Sequence, residues 1–139
     1  PIPNQMLDRR FHLEIRTPQK LIYDGDVASV RAPGVLGSFE ILAGHIPFLT
    51  VLEVGEIRIR ESEGPQSIST SGGVFEVLRT GVTVLADAAE WAYEIDVERA
   101  EAARQRALQR LASRDANIDF ARAQVALVRA TNRLKIAGR

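Results

Sequence analysis

From Phe11 to Arg16 apolar and polar residues alternate (Phe-His-Leu-Glu-Ile-Arg), the two-residue period of a strand with one buried face. Thr17-Pro18 and Tyr23-Asp24-Gly25-Asp26 read as turns. The alternation returns over residues 27–32, with Ala28, Val30 and Ala32 on one face, and Pro33-Gly34 ends it. Short apolar runs follow at residues 39–42, 48–52, 56–60, 67–70, 74–78 and 82–86, each bounded by Gly, Pro or a polar turn such as Glu63-Gly64-Pro65. Strands at intervals of about 8–12 residues predict an antiparallel sandwich or barrel. All six prolines and nine of the ten glycines lie before residue 95, as a turn-rich β-domain requires.

The pattern then changes. Residues 95–139 hold no proline and a single glycine, Gly138, and Ala and Arg recur at helical spacing. Asp96 is a good N-cap, and Glu98 in the first turn favours the helix dipole. A first helix is predicted to about Ser113, a polar break over residues 113–117, and a second helix over about 118–137 with Gly138 as its stop. So short a link predicts an antiparallel helical hairpin. The fold class is therefore α+β: a β-domain over residues 1–90 and a helical hairpin over 91–139. Residues 1–5 read as a loose terminus, with Met6 a candidate original start.

Ala100, Ala103 and Ala107 form one stripe of the hairpin, and Ala123, Ala126 and Ala130 another. A buried methyl contributes roughly 0.8 kcal/mol, against about 1.5–3 for a large apolar side chain. Helices that meet through alanine pack closely but weakly, and isolated helices of this length are marginal. The expectation is a hairpin able to leave its resting place.

Composition sharpens the division. The net charge is zero, yet residues 96–139 carry ten Arg/Lys against five Asp/Glu, and residues 1–95 carry eight against thirteen. A charge of about +5 on the arm faces −5 on the β-domain. With no cysteine there is no disulfide or thiolate metal site. No apolar run approaches the ~20 residues of a membrane span, so the chain is expected to reach a membrane only through a partner. Two histidines, His12 and His45, cannot make a multi-histidine metal centre, and no Ser/His/Asp arrangement stands out.

Two groups of residues could carry chemistry. Arg99 and Arg106 are seven apart, as are Arg122 and Arg129, and Arg133 follows by four, so each helix presents an arginine stripe. Converging arginine forks match phosphate oxygens. Glu90 and Asp96 could accept hydrogen bonds from a base amine or a ribose hydroxyl. Spacing alone favours the plainer reading, solvated faces with intrahelical ion pairs. The Gly-rich segment from Gly34 to Pro47 lacks the Gly-Lys-Ser/Thr ending of a phosphate-binding P-loop and reads as β-turn. Trp91 and Tyr93 would pin the arm to the β-domain. A basic arm could also contact nucleic acid through phosphates, but it lacks interleaved aromatics.

One succession of motifs carries more than any of its parts. Leu13-Glu14-Ile15, Thr17-Pro18, Gly37, Ile41-Leu42, Gly44-His45 and Pro47-Phe48-Leu49-Thr50 come first. Gly55-Glu56-Ile57-Arg58-Ile59, Ser71-Gly72-Gly73-Val74-Phe75-Glu76-Val77, Val82-Thr83-Val84-Leu85-Ala86-Asp87 and the two-helix tail follow. In this order they resemble the ε subunit of F-type ATP synthase over nearly the whole chain. Ala43 stands where that family usually has Pro, and Ile46 where it has a small residue.

The resemblance implies a sandwich of about ten strands bound to the γ subunit of the central stalk, near the ring of c subunits. The segment with Gly37, Ser38, Phe39, Glu40, Gly44, His45 and Pro47 would face ring and γ. Such a subunit is not the catalyst; it couples proton flow to ATP synthesis. Its tail inhibits ATP hydrolysis, lying folded on the sandwich or extending along γ to the α and β subunits, where Arg122, Arg129, Arg133 and Lys135 would meet an acidic segment of β. The resemblance further implies a peripheral place on the cytoplasmic face of a bacterial plasma membrane, with no nucleic-acid partner. Some bacterial members bind ATP on the folded tail through an Ile/Leu-Asp-x-x-Arg-Ala motif, which Ile95-Asp96-Val97-Glu98-Arg99-Ala100 matches in full. By the same resemblance Glu90, Arg106, Arg129 and Arg133 complete an ATP site. No cofactor is obligatory, and no visible ligand set requires magnesium.

Overall fold

The computed structural model describes residues 9–61 and 64–139. Residues 1–5 and Met6, and Glu63 of the expected turn, lie outside that set. Eight strands, β1 (Phe11–Arg16), β2 (Leu21–Val27), β3 (Ser29–Gly34), β4 (Gly37–Leu42), β5 (Phe48–Glu61), β6 (Gly64–Leu78), β7 (Gly81–Ala86) and β8 (Ala89–Trp91), precede a single 3-10 turn at Ala92–Glu94. Two helices follow, α1 (Val97–Ala112) and α2 (Phe120–Ile136).

The strands run in the order β2-β1-β7-β6-β5-β3-β4, with β8 paired to β6. Alternation along each strand sends Leu13 and Ile15 of β1, Val84 of β7, Phe75 of β6, Ile57 and Ile59 of β5, and Val30 of β3 into one core, all fully buried. Strands far apart in the order share that core, so the sheet folds over on itself as a sandwich. Pairing is antiparallel except between β1 and β7, which run parallel with Leu13 opposite Val82 and Ile15 opposite Val84.

Several expected turns are absorbed into strands. Tyr23-Asp24-Gly25-Asp26 is strand, not turn: it pairs with β1, and the His12 ring there contacts the carboxylates of Asp24 at 2.7 Å and Asp26 at 3.3 Å. Cross-strand partners outweigh the local turn tendency of Asp-Gly-Asp. Residues 27–32, expected as one strand, are split at Ala28, whose N–H instead bonds the Arg60 carbonyl at 2.8 Å. Pro33-Gly34 remains within β3. The runs at 48–52 and 56–60 fuse into β5, and those at 67–70 and 74–78 into β6. The glycines between them bend the strands without ending them. At Gly73, with φ of +147°, a Cβ would lie 2.2 Å from the Leu85 carbonyl oxygen, so only glycine lets β6 turn this tightly over β7.

In the segment from Gly34 to Pro47, read as β-turn around the apolar run at 39–42, the turns are confined to residues 35–36 and 43–47, and the strand begins earlier, at Gly37. Gly37, Ser38, Phe39 and Glu40 lie in β4, whereas Gly44, His45 and Pro47 occupy the connection to β5. Phe39 packs into the core, edge-on to Phe75 at 4.9 Å and to Phe48 at 5.8 Å. Its alternation in β4, inward like Ile41, puts it there.

The helices form as their caps direct. Asp96 Oδ1 accepts from the Arg99 N–H and Asp119 Oδ1 from the Arg122 N–H, both at 3.0 Å. Ala100 and Ala107 face Ala123 and Ala130 in the seam, all at most 3 % exposed. α1 rests chiefly on α2, and α2 rests on β5 and β6. Trp91 pairs with Ile68 across β8–β6 and meets Tyr23 edge-on at 6.0 Å, which anchors the arm. Tyr93 only stacks on Trp91 and remains 76 % exposed. Among the described residues no helix is long and apolar enough to cross a membrane.

Candidate functional site

A cleft of about 430 Å³ opens where the hairpin meets the sheet, lined by Ser69, Thr70 and Ser71 of β6, Ala89 and Glu90 of β8, Ala103 of α1, and Ala126, Arg129, Asn132 and Arg133 of α2. Helical spacing builds its roof. Arg129, Asn132, Arg133 and Ile136 are i, i+3, i+4 and i+7, one face of α2. The alanine stripe occupies the adjoining face, against α1. β6 supplies a floor of serine and threonine.

The cleft is held by polar tethers. Arg133 Nε donates to a Glu90 carboxylate oxygen, joining α2 to β8. Asn132 Nδ2 donates both to the Gly55 carbonyl at 3.0 Å and to Ser69 Oγ at 3.2 Å. Farther along, Arg139 Nη1 donates to Glu56 at 2.7 Å, and Glu56 also accepts from Ser67 Oγ at 2.5 Å. The buried apolar cluster at this junction, Ala92, Ile95 and Ile136, is small. An interface made of alanine, serine and directional hydrogen bonds costs little to open, because little apolar area returns to water.

Of the eight expected ATP-site residues, Glu90, Arg129 and Arg133 line the cleft together. Ile95 and Ala100 are interior packing positions, 8 % and 0 % exposed. Asp96 caps α1 with one carboxylate oxygen. Arg99 and Arg106 are exposed and absent from the lining, but they lie four and three residues from Ala103 on one helix face, and Ala103 is in the lining. Arg122 and Lys135 are exposed, away from the cleft. Asn132, Ser69 and Thr70 were not anticipated. Asn132 stands four residues before the apolar Ile136, a polar position on an inward face, and that was the available signal.

Among the described residues no group of three or more His, Cys, Asp or Glu could hold a metal ion. Burial and the nearby Glu61 carboxylate push the Tyr23 phenol up to about 12, but Tyr23 lies on β2, outside the cleft lining.

Comparison with known proteins accounts for both parts of the chain. Residues 10–92 match the family described as ATP synthase, Delta/Epsilon chain, beta-sandwich domain, and residues 94–138 its long alpha-helix domain. The ATP synthase epsilon chain of Syntrophobacter fumaroxidans is 50 % identical over 128 residues, 92 % of this chain and 96 % of that one. The epsilon chain of Nitratidesulfovibrio vulgaris is 44 % identical over 132 residues, 95 % of this chain and 98 % of its own. In fold, the chain is similar to one in the mitochondrial ATP synthase of Euglena gracilis, with a TM-score of 0.77, 22 % identity, and coverage of 88 % of this chain and 78 % of that one. Matched through sandwich and hairpin alike, the chain belongs to the ATP synthase epsilon-chain family.

Proposed function

We propose that the chain is a non-catalytic regulatory subunit of the central stalk, whose hairpin senses ATP when folded and restrains ATP hydrolysis when released. The observation that carries this reading is the serine-floored cleft between hairpin and sheet, where Glu90, Arg129 and Arg133 converge. Arginine forks would take the phosphates, with Arg99 and Arg106 closing in from α1, and Glu90 with Asp96 would take the adenosine end. A ligand at a hundred times its dissociation constant stabilises the form it binds by about 2.7 kcal/mol. That is enough to decide between folded and extended arms differing by a few kcal/mol. At high ATP the arm stays down; as ATP falls it is freed to reach the α and β subunits, where Arg122, Arg129, Arg133 and Lys135 meet acidic surface. The sandwich sits against γ and the c-ring, with Gly44, His45 and Pro47 at the exposed end. The chain thus reaches the cytoplasmic face of a bacterial plasma membrane only through the complex.

Calorimetric titration of the full chain with ATP tests this. Saturable binding that Arg129→Ala abolishes is expected; no heat at millimolar ATP would refute nucleotide sensing. A second reading, a stalk subunit without sensing, is favoured by one observation: Arg133 is already neutralised by Glu90, with Arg99 and Arg106 outside the lining. The same titration separates the two.

A further inference from the structure

On the other side of Asn132 from the cleft lies a second concavity, a groove of about 390 Å³ between β3, β5 and the end of α2. Four cations line it, Arg31 of β3, Arg58 of β5, and Lys135 and Arg139 at the helix end, against one carboxylate, Glu56. Glu56 is committed: it accepts from both Arg139 and Ser67. Lys135 and Arg139 have an ordinary reason to be there, since cations complement a helix C-terminus. Arg58 does not, since it faces Arg31 on β3 and Ser67 on β6, and Arg31 sits between Arg58 and Glu40 of β4.

These two arginines are direct cross-strand partners in the β3–β5 ladder. Like charges facing each other across a ladder destabilise it. Glu40, opposite Arg31 in the β3–β4 ladder, offsets part of that repulsion, but among the described residues neither arginine forms an ion pair. The ladder is interrupted just beyond them, between Arg31 and Gly34, and the interruption creates the hollow. Its floor is where Pro33 lies so close to Gly55 that a Cβ on Gly55 would come within 2.6 Å of it. The arrangement is a rigid floor with two guanidinium forks on one side and two cations from the helix on the other.

We infer that this groove is a second anion site, distinct from the nucleotide cleft, that takes a small phosphate-type oxyanion bridging Arg31 and Arg58 of the sheet to Lys135 and Arg139 of α2. The bridging matters because the four cations come from the two parts that must separate when the hairpin leaves. An anion held by both would fasten the arm and would relieve the Arg31–Arg58 repulsion. Free orthophosphate and the phosphoanhydride end of a larger ligand offer the same chemistry.

The test is titration of the full chain with sodium orthophosphate and, separately, pyrophosphate at constant ionic strength. Calorimetry gives affinity and backbone amide NMR gives location. Saturable binding is expected, with shifts at residues 31–32, 55–58 and 132–139. Arg58→Gln and Arg31→Gln should each weaken it about tenfold or more, the loss of a charge-assisted hydrogen bond. Lys135→Gln should weaken it less, and Arg129→Gln should leave it unchanged. Binding of orthophosphate alone would identify free phosphate as the source; binding of pyrophosphate only would identify a phosphoanhydride. Amide shifts that never saturate would mean charge screening alone and overturn the proposal. So would binding lost in Arg129→Gln but kept in Arg58→Gln, since the anion would then belong to the nucleotide cleft. The two sites fail independently, because Arg58→Gln leaves the nucleotide cleft whole.

Discussion

Arg133 on α2 holds Glu90 on β8, a side-chain pair 43 residues apart in sequence that closes the hairpin onto the sheet. The two side chains are 26 % and 30 % exposed, so solvent screens part of the attraction, and about 1 kcal/mol is a fair scale for it. Glu90→Gln should raise amide exchange in α2 about fivefold while the β-sandwich keeps its protection. Hydrogen–deuterium exchange resolved by residue measures both. Equal loosening of helix and sheet would contradict the latch.

Asn132 is the second tether, and its removal has two opposed effects. Asn132→Ala leaves the Gly55 carbonyl and Ser69 without their donor, costing about 1–2 kcal/mol. Alanine's better helix propensity returns up to about 0.7 kcal/mol. The net expectation is hairpin opening increased several-fold with the melting of the sandwich unchanged, read by exchange and by thermal denaturation.

Asp96 has a structural duty, the α1 cap, and a proposed ligand duty. Substitution can separate them. Asp96→Ser keeps a capping oxygen, so exchange over residues 97–100 should stay within about twofold of wild type. Asp96→Ala should cost about 1 kcal/mol of helix stability. ATP affinity that falls in Asp96→Ser with the helix intact would show that the carboxylate acts on the ligand; unaltered affinity would confine it to capping.

Gly73→Ala should be the most damaging single methyl in the chain. The added carbon would lie 2.2 Å from Leu85 O and 2.8 Å from Ala86 Cα, at a positive φ. Backbone strain of about 1–3 kcal/mol and overpacking of about 1–3 kcal/mol combine there. The midpoint of urea unfolding of the sandwich should drop accordingly. A midpoint within error of wild type would mean that β6 and β7 can slide apart without cost.

Tyr23 gives the sandwich a pH dependence at the alkaline end. Its folded pKa is raised from 10.0 to about 12, by burial first and then by Glu61. The neutral phenol is therefore the form that folding favours. Its contribution is complete below pH 10 and is lost as pH rises toward 12. Unfolding free energy should decline through that window in wild type and decline less in Tyr23→Phe, with the Tyr23 phenolate absorbance appearing late.

The helices and caps were legible because local chemistry decides them. Asp96, the alanine stripes and Gly138 each act within a few residues of themselves. Strand existence was legible too, but strand continuity was not. Gly55 and Gly72-Gly73 look like ends of strands to any local reading. Only Pro33 packed against Gly55, and Leu85 against Gly73, show them to be bends within β5 and β6. The Asp24-Gly25-Asp26 segment misled for the same reason, its partner His12 being 12 to 14 residues away. In the site, the Arg129 and Arg133 spacing pointed correctly to a shared face. Asn132 and the serine floor escaped notice because their meaning depends on what α2 lies upon.

The tethers of the hairpin, Asn132, Arg133 and Arg139, all lie toward the α2 C-terminus, close to where the arm leaves the sheet. Among the described residues, the link between the helices bonds its side chains only locally, as Ser113 to Asp115 and Asp115 to Asn117. From Phe120 to Asn132 the helix rises about 18 Å. The hairpin is thus a lever whose fulcrum sits beside its fastenings. A sideways push at the tip acts on those fastenings with mechanical advantage and breaks them in succession. A pull along the axis of α2 loads them together in shear. For any load at the tip, its direction, as much as its size, decides which of these fastenings bears it first.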